Sequence, residues 1–532
     1  MRELFLDYWE KIAKNPKYWI PLTIFSFAGY GFSICNRTIH GDDLMKDYYH
    51  EILPFSGRWG MLVWSKLIGI TDFVPFIDRF VTLLFLLIAS VLISFLFYLL
   101  SKQKDSVISF TVLSSMVLTY PLINEIFEYS EADVQYAGNL ALMIFALIYL
   151  TLKREKPTKG VILKASLIMI LPASSYEVGL FSYLTLLYAV ILYKQINNTD
   201  AYLTLKKWLC ENCYFLSPLI VAIVIRFVVH YSILSICDAS YIQMGGIQLG
   251  NDHSDLTYII GSNAFKYYAA ALVYFPISVF VVLSFCFLFI ISKKVLENGD
   301  IKIVLYAIAL YLSIFILPIA QGLCMPYRTA QTLTIFVAFV SFLLCEIRNP
   351  KFHFVVSSSF IFLCWHQAVY LNNVLSLNNM RSNNEIESLR YVGYRLMSEF
   401  ESTKPVVFIA ELDAYGGNLS PWIEQRVYAD TDTWNGRLFD RLVRDYLPEK
   451  FRRYKYINSN VNNVLNWTPY SRLKDFFSYC GFNINLVSFS SLLAMEKNPI
   501  LKTQLEEQYE KAITSMEPLE IKDIGKCILV KY

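Results

Sequence analysis

Residues 75–100 read PFIDRFVTLLFLLIASVLISFLFYLL. As a helix rising 1.5 Å per residue, this run is long enough to cross a hydrocarbon layer of about 30 Å. Comparable runs recur through the first 371 of the 532 residues, near 18–35, 107–122, 132–152, 161–173, 177–193, 208–236, 264–291, 303–319, 329–346 and 352–371. Together they predict a polytopic α-helical membrane protein with about eleven transmembrane helices. The fifth and sixth runs are short and meet at Pro172-Ala173-Ser174-Ser175-Tyr176-Glu177. They read either as two spans or as a broken, re-entrant pair lining a polar cavity. Composition points the same way, with 55% hydrophobic residues, 17% charged residues and a mean hydropathy of +0.41, far from a water-soluble domain of average make-up.

Charge placement is more informative than charge balance. The net charge of +3 creates no field that would favour nucleic acid. Residues 372–532, however, hold 20 basic and 20 acidic side chains of the 91 in the chain, about twice the density of the preceding part. Two domains are therefore expected: a transmembrane domain over 1–371 and a soluble α/β domain over 372–532. In the second, Pro405–Ala410 and Cys527–Val530 read as strands, and helical runs fall near 434–446, 473–479 and 503–516. Its loop Glu411–Gly417 and nearby Trp422 suit contact with a saccharide. Cys480 and Cys527 are candidates for a disulfide in an oxidising compartment.

Basic residues beside spans are retained in the cytoplasm. They occupy alternate loops: Lys102 and Lys104; Lys153, Arg154, Lys156 and Lys159; Lys194, Lys206 and Lys207; Lys293, Lys294 and Lys302; Arg348 and Lys351. These loops and the N-terminus, with Arg2, Lys11, Lys14 and Lys17, are assigned to the cytoplasm. No small-residue cleavage site follows the first apolar run, so no cleavable signal peptide is expected. The loops 123–131, 173–177 and 237–263 carry no Lys or Arg and fall on the outer side. An odd number of spans puts the C-terminal domain outside as well. An enzyme on that face lacks cytosolic nucleotide sugars and ATP, so any group it transfers should arrive on a lipid carrier. The sequence has no phosphate-cradling glycine loop on a strand-to-helix turn, consistent with that expectation.

The outer loops hold the candidate chemistry. Asp42 and Asp43 follow the first span directly; two adjacent carboxylates repel, which keeps a base available near neutral pH to take a proton from a sugar hydroxyl. Gly-Asp-Asp is also ordinary turn chemistry. Ser56-Gly57-Arg58-Trp59-Gly60 opens an amphipathic stretch to about Ile70, expected along the membrane interface, with Trp59 and Trp64 as anchors and Arg58 and Lys66 able to meet phosphate. The loop Asn124–Asp133 carries Glu125, Glu128, Glu131 and Asp133. These could supply a second acid that orients the acceptor, or oxygen ligands for a divalent cation, or form a solvated acidic loop. Within the apolar runs, Arg226 and His230 lie four apart on one helix face, while Glu177, Lys266 and Arg328 sit near outer ends. An arginine fork suits a departing lipid phosphate; Arg226 paired with Glu177 as a strut is the competing reading. Cys210-Glu211-Asn212-Cys213 stands without a second pair and reads as packing rather than a metal site.

An Asp-Asp pair just after the first span, an interfacial helix and an exported α/β domain together resemble the GT-C glycosyltransferases. Within that class, Ile39-His40-Gly41-Asp42-Asp43, Ser56-Gly57-Arg58-Trp59-Gly60 and Tyr129-Ser130-Glu131-Ala132-Asp133 look like the bacterial and phage O-antigen glucosyltransferases of serotype conversion. The resemblance implies transfer of glucose from undecaprenyl-phosphate glucose to lipid-linked O-antigen repeats, on the periplasmic face of the bacterial inner membrane. It implies Asp42 or Asp43 as general base in an inverting displacement. Arg58, Arg226, Lys266 and Arg328 would be candidates for the donor phosphate, and Glu125, Glu128, Glu131, Asp133 and Glu177 for the acceptor or second acid. Divalent-cation dependence stays open. The alternatives are a transporter or flippase of lipid-linked sugar, and an O-antigen polymerase.

Overall fold

The computed structural model describes residues 2–36, 57–69, 75–101, 106–120, 133–154, 158–197, 205–236, 279–321, 331–347, 349–400, 403–409, 477–478, 480–516 and 520–531. These divide into two compact units, the first drawn from the chain up to Leu375 and the second from Ser376 onward.

The first unit is helical. Its elements are α1 (Arg2–Tyr8), a π-helical turn (Trp9–Ala13), α2 (Pro16–Cys35), α3 (Trp59–Ile68), α4 (Pro75–Leu100), α5 (Val107–Thr119), α6 (Asp133–Lys153) and α7 (Lys159–Ser175). There follow α8 (Glu177–Asn197), α9 (Leu205–Ile236), α10 (Val279–Asn298), α11 (Lys302–Ser313), α12 (Ile316–Gln321), α13 (Gln331–Cys345) and α14 (Pro350–Glu399), whose residues from Ser376 onward belong to the second unit. Local chemistry sets several boundaries. Pro16 opens α2, where its missing N–H costs nothing, and the Asn15 side chain accepts from Lys17 N at 3.0 Å. Gly69, at φ +74°, closes α3 in the left-handed conformation.

Among the described residues, seven helices are long and apolar enough to cross a membrane, and three shorter apolar ones span Val107–Thr119, Lys302–Ser313 and Gln331–Cys345. Two of these short helices are enclosed by their neighbours. All fifteen residues of α13 are buried, as is α5 from Ser109 onward, so both are apolar around their whole circumference. Phe97 on α4 meets Tyr193, Phe339 and Phe342 with ring centroids 5.4–5.5 Å apart, which ties α4 and α8 to α13. Small and hydroxylic residues let neighbouring helices approach: Ser114 donates to Ser90 O at 2.8 Å, and the Tyr18 and Ser114 hydroxyls share a 2.8 Å hydrogen bond.

The fifth and sixth apolar runs form α7 and α8, which abut with only Tyr176 between them, extended at φ −151°, ψ 136°. One segment differs from the sequence-based expectation: α3 is no free interfacial helix. Gly60, Met61 and Trp64 are buried, because this face packs on α7 and α6, whereas Val63, Lys66 and Leu67 remain exposed.

The second unit centres on a three-stranded sheet of β1 (Val406–Ile409), β2 (Ile521–Asp523) and β3 (Ile528–Lys531), in the order β1-β3-β2. Strand β3 pairs parallel to β1, with Val406 opposite Ile528, and antiparallel to β2. Alternation along the strands fills both faces. Val406, Phe408, Ile528 and Val530 pack with Leu389, Val392 and Leu396 of α14; Val407 and Leu529 pack with Leu505 and Ala512 of α16 (Pro499–Ser515), which follows the short α15 (Phe489–Met495). Cys480 and Cys527 are free thiols rather than a disulfide. The alternation explains this, since Cys527 belongs to the α16 side of the sheet and Cys480 packs against the other. Burial pushes the Cys527 thiol up to about 11. Loop 411–417, Trp422 and the helix expected over 434–446 lie outside the described residues.

Candidate functional site

The site is built where α3 enters the bundle. A Cβ on Gly60 would stand 2.8 Å from the backbone carbonyl carbon of Ser174 and from Ser175 Oγ, so only glycine lets the start of α3 rest on the last turn of α7. One turn on, the Trp64 indole covers Gly138 of α6, where a Cβ would lie 2.7 Å from the ring. Trp64 Nε1 donates to Asn139 Oδ1 at 2.8 Å, and its ring meets Phe85 of α4 edge-on at 5.5 Å. Trp64 is therefore a buried packing residue rather than an interfacial anchor. A Gly60→Ala substitution is expected to destabilise the protein by about 1–3 kcal/mol through overpacking against backbone that cannot yield. Gly69→Ala, where a Cβ meets nothing within 4 Å, should cost only the left-handed backbone strain of about 1 kcal/mol. Thermal unfolding of the detergent-solubilised protein compares the two; equal costs would refute the proposed close contact.

Cations gather beside that junction. Gly57, at φ +76°, carries the chain past α9: a Cβ there would be 3.4 Å from His230 Nδ1 and 3.7 Å from an Arg226 guanidinium nitrogen. Arg58, the next residue, stacks its guanidinium over the Tyr176 ring at 4.8 Å, and Tyr176 in turn meets Tyr136 at 5.7 Å. Arg226 is 5% exposed, in a helix otherwise composed of apolar residues over this stretch. A guanidinium is costly to bury in such surroundings and favours negatively charged neighbours.

Two more ionisable groups that the sequence reading did not single out stand at the start of α4: Asp78 and Arg79 are both buried, at 1% and 3% exposure. The sequence carries the signal as two adjacent opposite charges on the threshold of the uncharged run 80–101.

Of the expected site residues, Arg58 and Arg226 are brought to the same backbone segment. Asp133 and Glu177 are the first residues of α6 and α8. Asp42, Asp43, Glu125, Glu128, Glu131, Lys266 and Arg328 lie outside the described residues. Tyr176 and Asn139 are functional candidates that sequence reasoning missed, since an aromatic between two apolar runs and a lone amide in a helix carry no pattern. Cys210 and Cys213 are free, and the described residues hold no cluster of three or more His, Cys, Asp or Glu side chains able to bind a metal.

The family described as Glucosyl transferase GtrII matches residues 31–345, well over half of the chain. The chain belongs to the GtrII glucosyl transferase family. The matched segment contains Gly57, Arg58, Gly60, Asn139, Tyr176, Arg226 and His230, and it ends at the last residue of α13, before α14 and the second unit. No curated protein and no solved structure matches the chain. Membership makes the protein a glucosyltransferase with a sugar donor and an acceptor, and the apolar helices associate it with a membrane.

Proposed function

We propose that this glucosyltransferase moves glucose from undecaprenyl-phosphate glucose to lipid-linked O-antigen repeats at the periplasmic face of the bacterial inner membrane. The supporting observation is that Arg226 and His230 of α9 lie beside Gly57, on the segment that carries Arg58, within a helical bundle. A lipid-borne phosphate is the anion that reaches such a place from within the bilayer. Arginine forks match its oxygens and stabilise the charge that grows on it as the glycosidic bond breaks.

In this reading the chain is a GT-C enzyme crossing the membrane about eleven times, with its N-terminus in the cytoplasm. Residues 1–371 carry catalysis, and an exported α/β domain over 372–532 recognises the acceptor. Asp42 or Asp43 takes the proton from the acceptor hydroxyl while that oxygen attacks the anomeric carbon. The phosphate leaves from the opposite side with the bonding electron pair, inverting the configuration. Lys266 and Arg328 are further phosphate candidates. Glu125, Glu128, Glu131, Asp133 and Glu177 are candidates for orienting the acceptor, with or without a divalent cation.

Mass spectrometry of O-antigen repeats from cells with and without the gene is expected to show one added hexose per modified repeat. Gel analysis of the same lipopolysaccharide should show unchanged chain-length distribution. Altered chain length without added hexose would identify a polymerase instead, and donor translocation without any transfer would identify a flippase.

A further inference from the structure

We infer that Asn139 is a specificity-determining residue that reads a hydroxyl of the donor glucose, with Trp64 setting which way its amide faces. The inference rests on the donor assigned above and deepens it.

Trp64 Nε1 can only donate a hydrogen bond, so the atom it meets at 2.8 Å must be the amide oxygen of Asn139. That contact decides the orientation of the amide and leaves Nδ2 as a committed donor. Asn139 is 2% exposed, yet Nδ2 is buried without a hydrogen-bond partner. One turn earlier on the same face of α6, Gln135 is 8% exposed and its Oε1 is a buried acceptor, also without a partner. The indole Nε1 of Trp59, beside Arg58 on the entering segment, is a third such atom and another donor. Buried polar atoms are nearly always satisfied, so two unsatisfied amides on one face of α6, and an unsatisfied indole on the first residue of α3, which packs against α6, point to something that binds there. They comprise two donors and one acceptor, and the hydroxyls of a pyranose both donate and accept.

Position supports a sugar attached to a phosphate. Tyr136, next to Gln135, meets Tyr176, and Tyr176 lies under the Arg58 guanidinium. Gln135 is thus next along α6 to the side chain that meets the ring under Arg58, one of the cations assigned to the donor phosphate, and the glucose attached to that phosphate lies close by. Asn139 acts on binding and discrimination; the bond-making step uses other groups.

The test is a donor series on the full-length protein in lipid nanodiscs: a short-chain polyprenyl-phosphate glucose and its 2-, 3-, 4- and 6-deoxyglucose counterparts, with wild type, Asn139→Ala and Trp64→Phe. Wild type is expected to disfavour the deoxy donor lacking the hydroxyl that Asn139 reads by 10²-fold or more in kcat/KM. Asn139→Ala should abolish the penalty for that one donor and keep the others. Trp64→Phe, which frees the amide to turn, should reduce the same penalty part-way. Each result is a ratio of kcat/KM values on one preparation, so partial misfolding cancels. Equal losses for every donor in Asn139→Ala would show a structural amide or an ordered water, and an unchanged ratio would show no contact; either overturns the inference. Wild type that transfers no sugar from the polyprenyl-phosphate donor would instead sink the donor assignment itself.

Discussion

Replacing Asp42 or Asp43 by Asn should lower glucosyl transfer by roughly 10²–10⁴-fold in at least one of the two single variants, the range general-base catalysis commonly supplies. The substitution keeps size and hydrogen-bonding shape and removes only the capacity to hold a proton at the working pH. An acceptor hydroxyl is a poor nucleophile until a base takes its proton, whereas a phosphate already bound by arginines leaves readily; the loss should therefore fall on kcat, with donor KM little changed. Two adjacent carboxylates share their titration, so the pair, rather than either residue, sets the lower limb of the pH–rate profile. In the inactive variant that limb should vanish. Transfer at wild-type rates in both single variants, with the protein folded and inserted, would remove the pair from the chemistry. Reporter fusions beside the pair are expected to read an extracytoplasmic address, because a cytoplasmic one would place the base away from the lipid-borne acceptor.

The part of this fold legible in the sequence is the part dictated by solvent. A run such as 75–100 has no stable home in water, and the higher charge density after residue 371 has none in hydrocarbon, so helical membrane character and a change of environment follow from composition. What composition does not encode is which helices lie inside. The complete burial of α13 and the exposed Phe285, Leu288 and Phe289 on α10 come from equally apolar sequences, because lipid and protein interior select the same side chains. The misreading of Trp64 has the same root. An amphipathic segment with two tryptophans satisfies the rules for an interfacial anchor, and only the missing Cβ atoms at Gly60 and Gly138, which are 78 residues apart, turn it into a packed helix. Arg226 was legible as a costly charge and Arg58 as a residue able to meet phosphate, but their meeting at Gly57 depends on a left-handed backbone step that no hydropathy pattern records.

Arg226→Gln is expected to reduce kcat on the order of 10²–10³-fold and to raise donor KM, since the lost guanidinium would bind the phosphate in the ground state and more strongly as charge builds in the transition state. Arg226→Lys should recover part of the binding and little of the rate: a compact ammonium keeps the charge and lacks the planar fork that engages two oxygens at once. The competing role is a structural strut, in which Arg226 balances a carboxylate such as Glu177. That role predicts a large drop in thermal stability for Arg226→Gln, because an uncompensated carboxylate would stay buried, and recovery of both stability and activity in the double variant Arg226→Gln with Glu177→Gln. The phosphate role predicts the reverse pattern. Thermal unfolding should shift little, the second substitution should rescue nothing, and saturating undecaprenyl phosphate should stabilise wild type but leave Arg226→Gln unmoved. Ligand stabilisation separates the two roles most cleanly, since a strut can be essential to the fold without making the protein respond to the anion.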